Sequence, residues 1–402
     1  MKRLSVTTVA AAFAAASLAL VAAPGASAQG HHARFGSQGI GHSATSLAKA
    51  GKLGFGHPSL GKGKTLTDKA IMPFSIAVAG NHVYYSEGMG STINKLTAYG
   101  MPRVLATGPQ DGDVAGLDVV AGGRTIAFTS SNGDHSTTTL TIRTKGKRDV
   151  VADISGYEAA HNPDGRTTYG ILAGGNACAE QILSQLSETG TATYKGLVDS
   201  HPYAVTRIPG GWAVADAGAN AIFRVSNTGK VSTIAVIPAQ KITLTQKMVD
   251  GLAASMGAPS GSLDCIVGVT YGFEAVPTDV ETGWLGRLVV STLPGGPEDP
   301  SLGARGSVYA VSPWGGWPYR VATGFLGATD LAVAPDGSIY VTEFFGGTIA
   351  KIRHGQVTSA VKAKAPLSIE ARGRYLYVGN AGDVDFETGQ VLSPGSIQKI
   401  RR

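Results

Sequence analysis

From residue 71 onward the chain alternates short runs of Val, Ile, Tyr and Phe with clusters of Gly, Asn, Asp and Pro. This pattern is typical of strands joined by tight turns. The clearest unit, residues 329–352, reads as a strand TDLAVA, a turn Pro335-Asp336-Gly337, a strand SIYVTE, a short loop and a strand TIAKI. Pro sets the first dihedral angle of such a turn and Gly tolerates a positive φ. The unit therefore predicts an antiparallel hairpin followed by a third strand.

The same order of strand, turn, strand, loop and strand recurs along the chain. We find it in residues 73–96, 116–142, 158–172, 202–225, 277–311, 329–352 and 366–400. One such unit cannot close its own core, whereas several arranged radially leave only short, protected edges. The repeats predict an all-β chain with a single β-propeller over residues 71–402. Seven blades are favoured, six are possible, and a β-sandwich is the main alternative.

One interval, residues 242–257, does not fit the repeat. Thr243 and Gln246 have the spacing of a capping box, and apolar residues recur every four positions from Leu244 to Met256. This pattern predicts a short amphipathic helix inserted between two units.

The N-terminus predicts export. Lys2 and Arg3 precede an Ala- and Leu-rich run, and Ala26-Ser27-Ala28 has the small-x-small pattern that signal peptidase cleaves. We expect a signal peptide over residues 1–28, cleaved after Ala28, and a secreted, extracellular protein. The apolar run is shorter than the roughly 20 residues of a membrane anchor, so no membrane span is expected.

The net charge of +6 does not belong to the predicted propeller. The leader and a Gly-, His- and Lys-rich segment, residues 29–70, carry the excess, while residues 71–402 hold 26 basic and 27 acidic residues. We expect residues 29–70 to be a flexible extension, because they lack the apolar periodicity needed to form a core. A near-neutral globular part gives no indication of nucleic-acid binding. We expect a monomer.

The two cysteines, Cys178 and Cys265, predict one disulfide in an exported chain. Cys265 follows the predicted helix and Cys178 lies in the third unit. The bridge is therefore expected to tie the inserted segment to a neighbouring blade.

Polar residues end the second strand of each repeat, so the repeat predicts that they gather on one rim of the propeller. They are Glu87, Asn132, Asn176, Asp216, Thr292, Glu343 and Asn380. Oxygen ligands from several blades can hold Ca²⁺ or Mg²⁺, and the candidate ligands are Glu87, Asp216, Glu343 and Asn380. The alternative is that these side chains satisfy turn backbone groups.

A second acidic set begins the first strands of the units or lies just before them, and it is expected at the channel mouth. Its members are Asp118, Glu158, Asp279, Asp330 and Glu370. His161 and His201 are candidate general bases, although no carboxylate stands beside either in the sequence. No nucleophile elbow and no HExxH helix is found, so the catalytic residues stay unknown.

Aromatic residues cluster in or beside the fifth unit, namely Trp284, Trp314, Trp317 and Tyr319. Such a group can stack on sugars or other flat ligands, or it can cover the edge of a core.

Three stretches are similar to a known family: residues 201–238, residues 276–311 and the sequence ATDLAVAPDGSIYVTE. They resemble the secreted ScyD/ScyE family of NHL/SMP-30-like propellers, named for proteins linked to assembly of the scytonemin pigment. The resemblance covers residues 200–402 well and 71–200 loosely. It implies the fold and export, and it supplies no catalytic residues.

The sequence as a whole predicts a secreted binding or scaffold propeller. Its ligand would be a small molecule, a glycan or a protein. The alternative is a metal-dependent, lactonase-like hydrolase or lyase that uses the polar rim.

Overall fold

The computed structural model describes residues 63–187, 189–297, 300–385 and 388–402. The predicted signal peptide with its cleavage site at Ala28, and residues 29–62 of the predicted extension, lie outside the described residues. No helix within the described residues is long and apolar enough to cross a membrane.

Within the described residues, thirty strands form seven four-stranded antiparallel sheets and one two-stranded sheet. Ring sheet 1 contains β2 (Pro73–Ala79), β3 (His82–Glu87), β4 (Thr92–Leu96) and β5 (Pro102–Thr107). Ring sheet 2 contains β6 (Leu117–Val120), β7 (Thr125–Ser131), β8 (Thr138–Thr144) and β9 (Val150–Asp153). Ring sheet 3 contains β12 (Pro202–Ile208), β13 (Gly211–Asp216), β14 (Ala221–Ser226) and β15 (Val231–Val236).

The other half of the chain repeats this arrangement. Ring sheet 4 contains β18 (Pro277–Thr282), β19 (Leu288–Thr292), β20 (Gly306–Val311) and β21 (Tyr319–Phe325). Ring sheet 5 contains β22 (Ala328–Val333), β23 (Ile339–Glu343), β24 (Thr348–Arg353) and β25 (Gln356–Lys362). Ring sheet 6 joins β26 (Pro366–Arg372), β27 (Tyr375–Asn380) and β30 (Ser396–Arg401) to β1 (Lys64–Thr67).

The first strands of the ring sheets contact one another in a closed circle, in the order β2, β6, β12, β18, β22, β26 and back to β2. A separate cluster of buried apolar side chains packs between each pair of neighbouring ring sheets. Burying these faces against each other replaces the core that a single sheet lacks. The predicted β-propeller is confirmed. The number of blades stays a prediction, and this circle of contacts favours the six-bladed alternative.

The seventh four-stranded sheet, which we call the accessory sheet, is formed by two segments of the chain that lie outside the ring sheets. One segment precedes ring sheet 3 and the other follows it, and we call them the two excursions. The strands of the accessory sheet are β10 (Thr168–Ala173), β11 (Thr193–Lys195), β16 (Gln240–Thr243) and β17 (Thr270–Phe273). β10 pairs with β17, so the excursion before ring sheet 3 joins the one after it. Both excursions also contribute to one apolar cluster that includes Leu183 and Leu252.

In the described part of these excursions there are three α-helices: α1 (Ile154–His161), α2 (Ala177–Leu186) and α3 (Gln246–Ser255). The predicted inserted helix is α3, but its N-cap is Thr245, whose Oγ1 accepts a hydrogen bond from the Met248 N–H. Thr243, the predicted cap, instead ends β16. Residues 158–172 are not two strands as predicted, because their first part forms α1.

Cys178 and Cys265 form the predicted disulfide, with a Cα–Cα distance of 6.1 Å. Cys178 lies in α2, and Cys265 lies in a 3₁₀ turn, Asp264–Ile266, in the other excursion. The bridge therefore links the two excursions to each other across the accessory sheet.

Two smaller features complete the fold. β1 falls within the segment predicted as a flexible extension, yet it pairs with β30 and completes ring sheet 6. A two-stranded sheet, β28 (Asp383–Asp385) and β29 (Gln390–Ser393), fills the loop before β30.

Candidate functional site

The upper face of the propeller is the one at which the first strand of each ring sheet begins. At this face, the last residue of a second strand pairs with the first residue of the first strand. Five predicted rim residues occupy this equivalent position: Glu87, Asp216, Thr292, Glu343 and Asn380. Of the other two, Asn132 follows β7, whereas Asn176 caps α2, so its Oδ1 accepts from the Ala179 N–H.

The rim carboxylates bind backbone groups of the chain that enters each ring sheet. Glu87 accepts from the Ile71 N–H at 2.7 Å and the Met72 N–H at 2.6 Å. Glu343 accepts from the Leu326 N–H at 3.0 Å and from a threonine hydroxyl. Burial raises the pKa of Glu87, and its backbone hydrogen bonds oppose that rise.

Asp216 has the same role in ring sheet 3. Its Oδ1 accepts from the His201 N–H at 2.7 Å and from the Ala219 N–H at 3.0 Å, and its Oδ2 accepts from the Ser200 hydroxyl. Burial raises the pKa of Asp216 to about 6. Asn380 donates to the Ser396 hydroxyl at 3.2 Å.

The carboxylates among the predicted metal ligands, Glu87, Asp216 and Glu343, are therefore occupied separately, each at its own ring sheet, whereas the Oδ1 of Asn380 has no hydrogen-bond partner among the described residues. Among the described residues, no three His, Cys, Asp or Glu side chains are arranged to hold a metal ion. The geometry supports the alternative role of Glu87, Asp216 and Glu343, which is to satisfy backbone donors at the strand ends. A metal on this rim stays a prediction.

The second predicted acidic set is largely brought together in the central channel. Asp118, Asp279, Asp330 and Glu370 all lie on first strands, whereas Glu158 lies on α1. A cavity of about 350 Å³ is lined by Asp118, Glu370 and Glu281, the last of which sequence reasoning missed.

The channel carboxyls repel one another. Burial, followed by repulsion from Asp118 and Asp279, raises the pKa of Glu370 to about 8. Burial and repulsion from Glu370 raise the pKa of Glu281 well above its usual range. With a pKa of about 8, Glu370 is mainly protonated at neutral pH, which limits the negative charge of the cavity.

Three of the channel acids also join neighbouring ring sheets. Asp118 accepts from the Arg207 N–H at 2.8 Å, Asp279 from the Leu331 N–H at 3.1 Å, and Asp330 from the Ile369 N–H at 3.0 Å. Each donor lies on the first strand of the next ring sheet. That strand is the inner edge of its sheet, so its inward-facing N–H groups have no neighbouring strand to which they can donate. These carboxyls are thus part of the structure of the ring.

Two histidine–aspartate pairs lie at the upper face between ring sheets 2 and 3. His201 Nε2 lies 2.8 Å from Asp113 Oδ2, and His135 Nδ1 lies 3.0 Å from Asp199 Oδ1. The two imidazole rings are 4.4 Å apart between centroids. Burial alone would lower the pKa of His201, but Asp113 raises it above the usual value.

These pairs could not be predicted from the sequence, because the carboxylate partners are 88 and 64 residues away from their histidines. The available signal was that Asp113 and His201 both precede first strands, which places them on one face. The other candidate base, His161, is exposed at the end of α1, where its Nδ1 lies 2.9 Å from the Tyr157 carbonyl oxygen.

Glu158 is the most unusual carboxyl of the upper face. Only 1% of its surface is exposed, and neither carboxyl oxygen has a hydrogen-bond partner among the described residues. Burial and then repulsion from Asp216, Asp164 and Asp199 raise its pKa to about 8. Glu158 is thus mainly a neutral acid at neutral pH.

The face opposite the upper face, which we call the lower face, carries the predicted aromatic cluster. The cluster lies in two turns of ring sheet 4. One turn, between β18 and β19, contains Trp284 and Leu285; the other, between β20 and β21, contains Trp314 and Trp317 and leads into Tyr319. Trp317 is 91% exposed and Trp314 is 75% exposed. We call these five residues the aromatic surface.

Two arginines flank the aromatic surface. The Arg224 guanidinium lies 4.7 Å from the centroid of the Trp314 ring, and that of Arg287 lies 5.5 Å from the centroid of the Tyr319 ring. Arg224 also donates to the Pro209 and Pro313 carbonyl oxygens at 3.0 and 3.1 Å, so its position is fixed. Neither arginine takes part in the ion pairs found within the described residues.

Comparison with known proteins supports the fold. No family model matches the chain, and no curated protein sequence matches it. The PQQ-bound aldose sugar dehydrogenase from Streptomyces coelicolor aligns with a TM-score of 0.51 at 11% identity, over 85% of this chain and 99% of that one.

Two further solved structures are similar. Virginiamycin B lyase from Staphylococcus aureus, an inactive variant with quinupristin, gives a TM-score of 0.48 at 12% identity, over 85% of this chain and 98% of the lyase. A putative oxidoreductase (glucose dehydrogenase) from Thermus thermophilus gives 0.49 at 13%, over 85% and 99%. The resemblance to the ScyD/ScyE family is not confirmed and stays a prediction. The likeness to the aldose sugar dehydrogenase supports the β-propeller fold of this chain and nothing beyond the fold.

Proposed function

We propose that the protein is exported and acts as a non-catalytic binding propeller, with the aromatic surface as its binding surface. The observation that carries this proposal is the exposure of Trp314, Trp317, Trp284 and Tyr319 in two turns at the same edge of ring sheet 4. Large apolar side chains exposed together mark an interaction surface. Indole and phenol rings are suited to ligands with flat faces, including sugars.

The rest of the molecule supports binding in preference to metal-assisted chemistry. The rim carboxylates that would hold a metal are bonded to backbone donors. Export rests on the sequence of residues 1–28, and the disulfide between Cys178 and Cys265 suits an oxidising compartment.

The test is binding of the purified protein to a panel of extracellular polysaccharides, namely xylan, dextran, alginate and polygalacturonate. We expect the wild type to bind at least one of them and a Trp314→Ala/Trp317→Ala double variant to lose that binding. The matched control is Tyr99→Ala, since Tyr99 is 94% exposed but lies in ring sheet 1. Absence of wild-type binding, or equal binding by the double variant, would overturn the proposal.

One observation favours a second candidate function, acid–base catalysis of the lactonase or lyase type. The His135–Asp199 pair is partly exposed, and its imidazole lies against that of the buried His201–Asp113 pair. An imidazole oriented by a carboxylate is a common general base. Turnover of a lactone panel by the wild type but not by His135→Ala would support this candidate, and absence of turnover would remove it.

A further inference from the structure

We propose that the aromatic surface selects an acidic polysaccharide, one whose sugars carry carboxylate groups. This inference rests on the proposed function and adds the class of ligand. It follows from the two arginines, because the stacking rings alone would not distinguish neutral from acidic sugars.

The Arg224 guanidinium has a fixed position and N–H donors that can bind an anion. Two backbone carbonyl oxygens fix its position, and its five N–H donors exceed these two acceptors. Because it covers one face of the Trp314 ring, a sugar would stack on the other face. A carboxylate on a neighbouring sugar of the polymer, placed beside the edge of the Trp314 ring, can then form a charge-assisted hydrogen bond with the guanidinium.

Arg287 provides a second cation on the same surface. It is exposed, it lies against the Tyr319 ring, and it follows Trp284 and Leu285 in the same turn. Two arginines on one exposed surface suit a polymer that repeats its charge, since one carboxylate can pair with each. A single small acid would use only one of them.

The surrounding charge also favours an anion. The lower-face turns of ring sheets 3 and 4 are residues 209–210, 227–230, 283–287 and 312–318, all of them described. They contain Lys230 and Arg287 but no Asp or Glu. The acid that precedes them on β18, Glu281, lines the channel cavity, where burial and repulsion from Glu370 raise its pKa well above the usual range and so disfavour its charged form.

A carboxylated polysaccharide fits better than a nucleic acid. Nucleic-acid affinity depends on neutralising many phosphates, whereas residues 71–402 carry one more acidic than basic residue. Two arginines beside stacking rings can select acidic sugars without a strongly basic surface.

The experiment compares polygalacturonate with its methyl-esterified form, which keeps the sugar faces and removes the charge. We expect wild-type protein to bind polygalacturonate about tenfold more tightly at low salt, a preference of the size that one charge-assisted contact gives. This preference should weaken as NaCl is added. Arg287→Gln and Arg224→Gln should each reduce it while retaining affinity for the ester.

Two controls keep the test specific. Arg103→Gln removes an exposed arginine on β5 and should bind as the wild type does. Because Arg224 bonds two backbone carbonyls, thermal unfolding is compared for its variant, and the exposed Arg287 supplies an independent variant.

The outcomes separate the two proposals. Equal wild-type affinity for both polymers, abolished by Trp314→Ala/Trp317→Ala, would overturn the selectivity and leave the binding function intact. If the wild type binds neither of these polymers and no other polysaccharide of the wider panel, both the binding function and the selectivity are overturned. An affinity for oligo-dT that matches the affinity for polygalacturonate would overturn the selectivity for sugars.

Discussion

Replacing Glu158 with glutamine should remove part of the dependence of stability on pH. Glu158 is buried on α1 without a hydrogen-bond partner among the described residues, and three aspartates surround its carboxyl. Glutamine keeps nearly the same volume and, like the protonated acid, carries no charge. The variant therefore tests whether the side chain is neutral in the folded protein at neutral pH.

The sign follows from linkage between folding and proton binding. Well below pH 4.5, the ordinary pKa of glutamate, both the folded and the unfolded chain hold the proton. As the pH rises, the unfolded chain releases its proton first, so the free energy of unfolding decreases until the pH passes about 8. Stability from this group is thus complete in acid and lost toward alkaline pH.

The magnitude comes from the same two pKa values. With 4.5 in the unfolded chain and about 8 in the folded protein, the loss between pH 5.5 and pH 8.5 is about 3 kcal/mol. The same values predict that Glu158→Gln is more stable than the wild type by about 1.4 kcal/mol at pH 5.5 and by about 4.6 kcal/mol at pH 8.5. Glu370 contributes the same sign in both proteins, so the difference between the two reports on Glu158 together with the aspartates that it repels.

The assay is urea unfolding followed by tryptophan fluorescence at several values between pH 5.5 and pH 8.5. Glu180→Gln is the matched control, because Glu180 is an exposed glutamate on α2 and should leave the wild-type pH profile unchanged. If Glu158→Gln shows the same pH profile as the wild type, the carboxyl is charged in the folded state and our account of its burial is refuted.

Three other predictions concern the fold and the upper face. Replacing both Cys178 and Cys265 with serine should lower the free energy of unfolding by about 4 kcal/mol, because the bridge closes a loop with a sequence separation of 87. Thermal unfolding measures this loss, and an unchanged transition would contradict the prediction. His201→Gln should cost about 3 kcal/mol in urea unfolding, because it leaves the Asp113 carboxylate buried without its partner; a variant as stable as the wild type would show that the pair is not charged. Adding Ca²⁺ or Mg²⁺, or removing metal with EDTA, should leave the thermal midpoint unchanged, because backbone donors occupy the rim carboxylates; an ion at a hundred times its dissociation constant would instead add about 2.7 kcal/mol.

The repeat in the sequence predicted the propeller because each ring sheet is built from consecutive strands. The hydrophobic alternation and the turn residues of one unit, such as Pro335-Asp336-Gly337, act over a few residues. Local rules also predicted the equivalence of Glu87, Asp216 and Glu343, since each ends a second strand. A sequence pattern of this kind determines position within a sheet.

The accessory sheet could not be predicted in the same way. Its central pair joins β10 to β17, about one hundred residues apart in the sequence, and a complete ring sheet is inserted between them. The unit at residues 158–172 contains a Pro-Asp-Gly turn, and this local signal suggested two strands where α1 and β10 form. Packing against the other excursion determines the structure there, and no property of either segment alone reveals the partner.

The two faces of the propeller use polar groups in different ways, and this difference guides the search for function. On the upper face and in the channel, carboxyls bind backbone donors of the chain around them, as Glu87, Asp118 and Asp330 do. Such groups are needed for closure of the ring, so their replacement would change stability whether or not a ligand binds. On the lower face, Trp317 and Arg287 are exposed, so they can be exchanged with little effect on the fold. A loss of binding caused by changing them therefore identifies a function, which a loss caused by changing the channel acids would not.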